Sequence, residues 1–160
     1  MKDIRVGFGY DVHQLVRDRE FWLGGVKITH DKGALGHSDA DALLHAICDA
    51  LLGAANKGDI GKHFPDSSRE FKNIDSKILL EKTCELVRND QWEIGNIDST
   101  VCLQQPKIAP YIPEMVKAIS ACTGLEPGRI SIKATTAEKM GFVGREEGIE
   151  ANAVVLLFKS

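Results

Sequence analysis

The chain has 160 residues, 43% of them hydrophobic and 27% charged, an ordinary soluble composition in which one domain, residues 1–160, buries roughly 68–70% of the surface its unfolded chain exposes. A formal net charge of -3, with 20 Lys and Arg spread among 23 Asp and Glu and no aromatic interleaving, speaks against nucleic acid as a partner, so an anionic small substrate needs local help from a metal or from backbone N–H groups. No apolar run approaches bilayer length, there is no room for a signal peptide before the first strand, and four scattered cysteines without a C-x-x-C pair suggest neither a disulfide framework nor a cysteine zinc site. A cytoplasmic location is expected; a plastid origin would require a transit peptide already removed.

Residues 5–13 alternate, with Val6, Phe8, Tyr10 and Val12 facing one way and Gly7, Gly9, Asp11 and His13 the other, which predicts a strand. Residues 21–28 predict a short hairpin pivoting on Gly24 and Gly25. Residues 38–55 are helical in pattern, with Ser38 at the N-cap position and Asp41 three residues on, and residues 75–89 predict a second helix capped by Asp75. Residues 93–103 alternate as a strand, Pro113 opens a third helix that stops near Gly124, and residues 130–134 return to strand. A short helical turn follows Thr136, and "EANAVVLLFK" closes the chain as a buried strand. The expected class is α+β: mainly a four-stranded sheet with three long helices on one face, plus a short hairpin.

"GYDVHQL" places Asp11 and His13 on one strand face, where carboxylate and neutral imidazole are both zinc ligands. In "GHSDADALLHAICDALLGAANKGDIG" the apolar stripe is Leu43, Ile47, Ala50, Leu51 and Ala54, whereas Asp41, His45 and Cys48 fall on the far side. His45 can therefore complete an Asp-His-His set with Asp11 and His13, leaving the fourth tetrahedral position open as a catalytic zinc requires. Leu52 shares that far face, which makes it a candidate contact with another subunit. His37 and Ser38 stand where a phosphate can meet a helix N-terminus, although the same pattern also serves simple helix initiation. "IKATTAEKMGFVGREEGI" follows a strand with two threonines and Glu138, a carboxylate able to hold Mg²⁺ against phosphate or to sit as a solvated first-turn acid. His30 and His63 have no positioned partners and read as surface residues.

"GYDVHQL", "GHSDADALLHAICDALLGAANKGDIGKHFPD", "QPKIAPYIP" and "IKATTAEKMGFVGREEGI", in this order over residues 5–158, resemble the 2-C-methyl-D-erythritol 2,4-cyclodiphosphate synthase family of the non-mevalonate isoprenoid pathway. The resemblance implies a homotrimer with sheets around a central axis and active sites between subunits. It implies a substrate, 4-diphosphocytidyl-2-C-methyl-D-erythritol 2-phosphate, whose 2-phosphate attacks the β-phosphorus to close a cyclic diphosphate and release CMP. It also implies one zinc ion per subunit on Asp11, His13 and His45, and Mg²⁺ or Mn²⁺ near Glu138 bridging the substrate diphosphate.

By the same resemblance His37 and Thr136 are transition-state stabilisers. Val12 and Ser38 join the ligands at the substrate, with Asp59, Ile60 and Gly61 around the methylerythritol part. Phe64, Pro65, Asp66, Ser67 and Ser68 form an adjoining segment. Leu103, Gln104, Gln105, Pro106, Lys107, Ile108 and Ala109, together with Ala134, Thr135 and Thr136, resemble the pocket for cytosine and the nucleotide phosphates. Ala137 stands where relatives often carry a polar residue. Phe142 and Arg145 match positions lining the site and the trimer channel, which can hold an isoprenoid-phosphate ligand, and Glu147 is placed to pair with Arg145. Two other classes stay open on the residues: a zinc-dependent phosphohydrolase that activates water in the open position, and a non-catalytic cytidine-nucleotide or isoprenoid-phosphate binding protein.

Overall fold

Strand β1, Asp3–Arg17, keeps the predicted alternation: Gly7 and Gly9 are buried, while Val6, Phe8, Tyr10 and Val12 lie exposed on the other face. In this computed structural model residues 3–65, 67–71 and 73–159 are described. A two-stranded hairpin follows, β2 (Phe21–Leu23) and β3 (Val26–Ile28), turning on Gly24 and Gly25, whose φ values of 60° and 76° suit glycine. The next strand is β4 (Lys32–Leu35), then helices α1 (Ala42–Ala54), α2 (Ile60–His63) and α3 (Ser76–Asn89). Strand β5 (Glu93–Cys102), helix α4 (Ile112–Thr123), strand β6 (Ile130–Thr135), helix α5 (Gly141–Gly144) and strand β7 (Gly148–Lys159) complete the order.

The main sheet has five strands in the order β4-β1-β7-β5-β6, not the four expected. It is mixed: β5 and β6 pair in parallel and the other neighbours are antiparallel. The addition is β4, whose four residues are too few to display alternation and which pairs Leu35 with Gln14 and Lys32 with Arg17. The parallel pair accommodates α4 as its crossover.

Helix α1 lies directly on the sheet because strand and helix are both small where they meet. A Cβ at Gly7 would come within 1.9 Å of the Ala50 carbonyl oxygen, and one at Gly9 within 1.9 Å of that of Ala46. That close approach carries His45 down onto β1. Helix α3 packs on α1, and α4 on α3 and β6, so the three long helices share one side of the sheet. Helix α1 is consequently buried almost all round, and Leu52 is fully buried inside this chain; it is no subunit contact, since α3 already covers that side.

The start of α1 also differs from the sequence expectation. Its N-cap is Asp41, not Ser38, and the helix begins at Ala42. Asp41, fully buried, accepts from Leu44 N at 3.0 Å, Gly24 N at 2.9 Å and Gly25 N at 2.7 Å, capping the helix and the hairpin turn with one carboxylate. Burial pushes its pKa up, and the nearby Asp39 adds to that. Likewise the turn after Thr136 becomes helical only at Gly141. The other predicted elements form: Asp75 caps α3 through Lys77 N, and α4 stops at Gly124 in the left-handed region. His30 and His63 are half-buried rather than surface residues.

Candidate metal centre and active site

Asp11 and His13, two apart on β1, and His45 on α1 bring Asp11 Oδ2, His13 Nε2 and His45 Nδ1 together. The separations are 2.8 Å from His13 to Asp11, 3.1 Å from His45 to Asp11 and 3.3 Å between the two imidazoles. Donors about 2.0–2.1 Å from a tetrahedral zinc stand about 3.3 Å apart, so the set closes on a metal with adjustments of tenths of an ångström. Among the described residues this is the one cluster of three or more His, Cys, Asp or Glu able to hold a metal ion.

The hydrogen bonds behind the triad test the fit. His13 Nδ1 lies 2.9 Å from the Leu35 carbonyl oxygen, so it carries the proton and donates, leaving a lone pair on Nε2. A carboxylate and an imidazole lone pair then face each other, and a cation must stand between them. Without a metal, that cation is a proton. Burial works against the Asp11 carboxylate, yet its bonds to His13 and His45 win and hold its pKa at about 2. For His13 burial acts first to lower the pKa, but Asp11 outweighs it and the net shift is upward.

These three residues open on a cavity of about 230 Å³ lined also by His37, Ser38, Ile60, Gly61 and Phe64. His37 Nε2 is buried there without a hydrogen-bond partner among the described residues, a donor or acceptor still to be satisfied. Asp59 caps α2 through Lys62 N at 3.0 Å, and Asp49 on α1 accepts from Ile60 N at 2.7 Å, pinning that segment to the helix that carries His45. Burial raises the Asp49 pKa, with Asp59 and Asp11 adding to the shift.

A second cavity, about 180 Å³, is lined by Leu103, Gln104, Pro106, Lys107, Ile108, Ala109, Ala134, Thr135 and Thr136. Beside it Thr136 Oγ1 donates to Glu138 Oε1 at 3.1 Å, and Glu138 and Lys139 both take left-handed φ values, 51° and 63°. Gln104 Oε1 accepts from Lys139 N at 3.2 Å and ties that turn to the cavity. The two cavities share no lining residue.

The remaining predicted positions scatter around these two sites. Val12 projects from the opposite sheet face to Asp11 and His13, Gln105, Pro65 and Ser67 are exposed, Ser68 and Ala137 half-buried, and Asp66 lies outside the described residues. Phe142 is exposed on α5. Arg145 and Glu147 form the expected pair, Nε to Oε1 at 3.0 Å and Nη2 to Oε2 at 3.1 Å. Sequence reasoning missed Leu35, Gly36, Asp39, Asp49, Phe71, Ile74, Ser76 and Leu79. Most support the site through a backbone atom or an apolar wall, which leaves no chemical signature; only Asp39, inside "HSDAD", and Asp49 carried a charge that could have marked them.

The model of the YgbB family matches residues 4–158. A relative named 2-C-methyl-D-erythritol 2,4-cyclodiphosphate synthase, from Bacteroides thetaiotaomicron, is 62% identical over 156 residues, 98% of each chain. One of the same name from Parabacteroides distasonis is 63% identical over 154 residues, 96% of each chain. Among solved structures, the bifunctional IspDF of Campylobacter jejuni has a TM-score of 0.96 at 41% identity; it covers 100% of this chain, which spans 43% of the Campylobacter chain. The CDP complex of IspF from Plasmodium falciparum has a TM-score of 0.86 at 36% identity, covering 98% of this chain and 97% of that one.

Proposed function

The chain belongs to the YgbB family, and from that membership and the two cavities we propose that it converts 4-diphosphocytidyl-2-C-methyl-D-erythritol 2-phosphate to 2-C-methyl-D-erythritol 2,4-cyclodiphosphate with release of CMP. Cyclodiphosphate synthesis is its function: relatives bearing that activity in their name match it at 62% identity over nearly the full chain. The observation that carries the chemistry is the convergence of Asp11, His13 and His45 beside a cavity, with a lone pair of His13 held free by Leu35.

The reaction is a lyase step. An oxygen of the 2-phosphate forms a bond to the β-phosphorus, the bond from that phosphorus to the bridging oxygen of CMP breaks, and CMP leaves with the electron pair. The attacking oxygen is already anionic, so alignment and charge neutralisation matter more than a general base. A zinc ion on the triad, when bound, supplies Lewis acidity towards a phosphate oxygen. His37 and Ser38 present donors to the same phosphate, Ile60 and Gly61 border the methylerythritol part, and the second cavity takes the cytosine. Glu138 offers one carboxylate to Mg²⁺ or Mn²⁺, whose remaining ligands would be substrate phosphates and water.

In this reading two subunits complete one site, one lending the metal-side cavity and the other the nucleotide cavity, which share no lining residue. The exposed sheet face of Val6, Phe8, Tyr10, Val12 and Val154 supports a homotrimer about a central axis, with Arg145 towards a channel able to take an isoprenoid phosphate. Among the described residues no helix is long and apolar enough to cross a membrane.

Phosphorus NMR of the protein with the diphosphocytidyl substrate and Mg²⁺, with zinc content measured on the same sample, tests the proposal. Two coupled cyclic-diphosphate signals beside CMP are expected, and both zinc and product are expected to vanish in His45→Ala. Linear phosphate products would instead make the protein a phosphohydrolase, and unchanged substrate a binding protein.

A further inference from the structure

His45 turns its second nitrogen away from the triad. Nε2 lies 2.9 Å from Ser76 Oγ and 3.2 Å from Ser38 Oγ. Ser76 Oγ is in turn 2.5 Å from Asp39 Oδ1, and Ser76 N is 2.9 Å from Asp39 Oδ2. The proton positions follow from the inventory of donors. A carboxylate only accepts, so the hydroxyl proton of Ser76 is spent on Asp39. Ser76 then faces His45 with a lone pair alone, and the proton between them must belong to Nε2. Nδ1 is thereby left with a lone pair aimed at Asp11 and His13.

We propose that Asp39 and Ser76 are positioning residues for the metal centre, a carboxylate-serine-imidazole relay that fixes the tautomer of His45 and so makes Nδ1 a metal ligand. The proposal rests on reading Asp11, His13 and His45 as that centre. Relay and triad come from different elements. Ser76 is the fully buried first residue of α3, whose free N-terminal N–H Asp39 accepts. Asp39 sits in the loop before α1, its N–H donating to Ile74 O at 3.3 Å and its Oδ1 accepting from Asp41 N at 3.2 Å. The imidazole is clamped between this loop and α3 while its own helix supplies the Cα. Neither residue lines the cavity, so their effect passes through His45.

The relay also assigns Ser38. With the Nε2 proton directed to Ser76, the Ser38 oxygen, which accepts from Ala40 N at 3.2 Å, keeps its hydroxyl proton for the cavity it lines. One nitrogen therefore sets both a metal ligand and a donor for a phosphate.

Asp39→Asn keeps the shape of the side chain but lets its amide turn an N–H towards Ser76, reversing the relay. Zinc affinity of the full chain, measured by chelator competition, is expected to fall roughly tenfold to a hundredfold, the usual cost of losing a metal-orienting partner. In the zinc-free protein at a pH where the ring is neutral, ¹⁵N NMR is expected to show His45 protonated on Nε2, and to show that population moving to Nδ1 in Asp39→Asn. A merely structural role would not invert a tautomer. Ser76→Ala removes the middle of the relay and is expected to weaken zinc in the same range, with circular dichroism verifying the fold of each variant. Zinc affinity within about twofold of the unsubstituted protein in both variants overturns the relay. Failure of the unsubstituted protein to bind zinc overturns the metal reading of the triad, and the relay with it.

Discussion

The Nδ1 of His13 lies 2.9 Å from the carbonyl oxygen of Leu35, so the strand next to β1 decides which nitrogen of a β1 side chain faces Asp11. In protein stripped of metal this makes stability depend on pH in a defined direction. Asp11 is held down at about 2, so its contribution, on the order of 2 kcal/mol, is present above about pH 4 and is lost as pH falls towards its folded value. His13 is shifted up, so its contribution is complete below about pH 6.5 and is lost as pH rises through its folded pKa. Metal uptake by the triad is expected to run the other way, because a metal needs the Nε2 lone pair. Thermal unfolding of chelated protein across this range is expected to peak in mild acid; a chelated protein that gains stability steadily through neutral pH would refute the pairing.

Asp49 holds Ile60 N at 2.7 Å, and so places the start of α2 against the helix that carries His45. Its replacement should disturb substrate rather than metal. For Asp49→Ala we expect KM to rise about tenfold, in line with the loss of a charge-assisted hydrogen bond worth about 1.5–3 kcal/mol, while metal content is expected to match that of the unsubstituted protein. Asp49→Asn retains an acceptor oxygen and should recover most of the loss. Steady-state kinetics with metal analysis on the same samples decides: a fall in zinc with unchanged KM would place Asp49 with the ligands.

How far the site could be read beforehand follows from these contacts. Asp11 and His13 were visible because a period of two puts them on one face, and His45 because helical spacing takes it off the stripe of Leu43, Ile47 and Leu51. The same stripe misled about Leu52: α1 is covered by the sheet on one side and by α3 on the other, and an amphipathic reading allows for one covering surface only. Strand β4 escaped because Gly33 interrupts four residues, and a Cβ there would come within 2.1 Å of the Glu20 carbonyl oxygen. Leu35 and Ser76 contribute a carbonyl and a small hydroxyl from 22 and 31 positions away from the imidazoles they orient, a relation that exists only in three dimensions.

Asp41 accepts three backbone N–H groups from inside the protein, two of them in a hairpin turn and one in α1. Asparagine has the same outline but only one accepting oxygen, so Asp41→Asn leaves at least one buried N–H facing another donor. A cost of about 2–4 kcal/mol is expected, the sum of an unsatisfied donor and a weakened cap. Burial keeps the Asp41 pKa high, so in the native protein its ionised form is disfavoured on folding. That contribution favours the folded state at acid pH, is complete below about pH 3.9 and declines as pH rises through the folded pKa. Denaturant unfolding at fixed pH measures the substitution, and a midpoint unchanged within error would mean that water can replace the carboxylate.

Gly9 carries the tightest link between fold and site, because it lies on β1 two residues before Asp11 and touches the helix next to His45. A Cβ at this position would fall 1.9 Å from the carbonyl oxygen of Ala46 and 2.7 Å from the nitrogen of Ala50. Both are backbone atoms that no side-chain rotation can move, so the helix as a whole must lift. Overpacking of this kind costs about 1–3 kcal/mol and more where backbone is hit. The displacement reaches the metal centre directly: lifting α1 from β1 lengthens the 3.1 Å separation of His45 from Asp11 and the 3.3 Å separation of His45 from His13, but leaves Asp11 to His13 intact, since those two share a strand. Gly9→Ala should therefore lower both thermal stability and zinc affinity, whereas Gly53→Ala, on the outer side of the same helix with nothing within 4 Å of the added Cβ, should leave zinc unchanged and raise stability slightly through helix propensity. Calorimetry and chelator competition on the two variants separate the effects; Gly9→Ala binding zinc as tightly as the unsubstituted protein would show that the helix need not touch the strand to complete the triad.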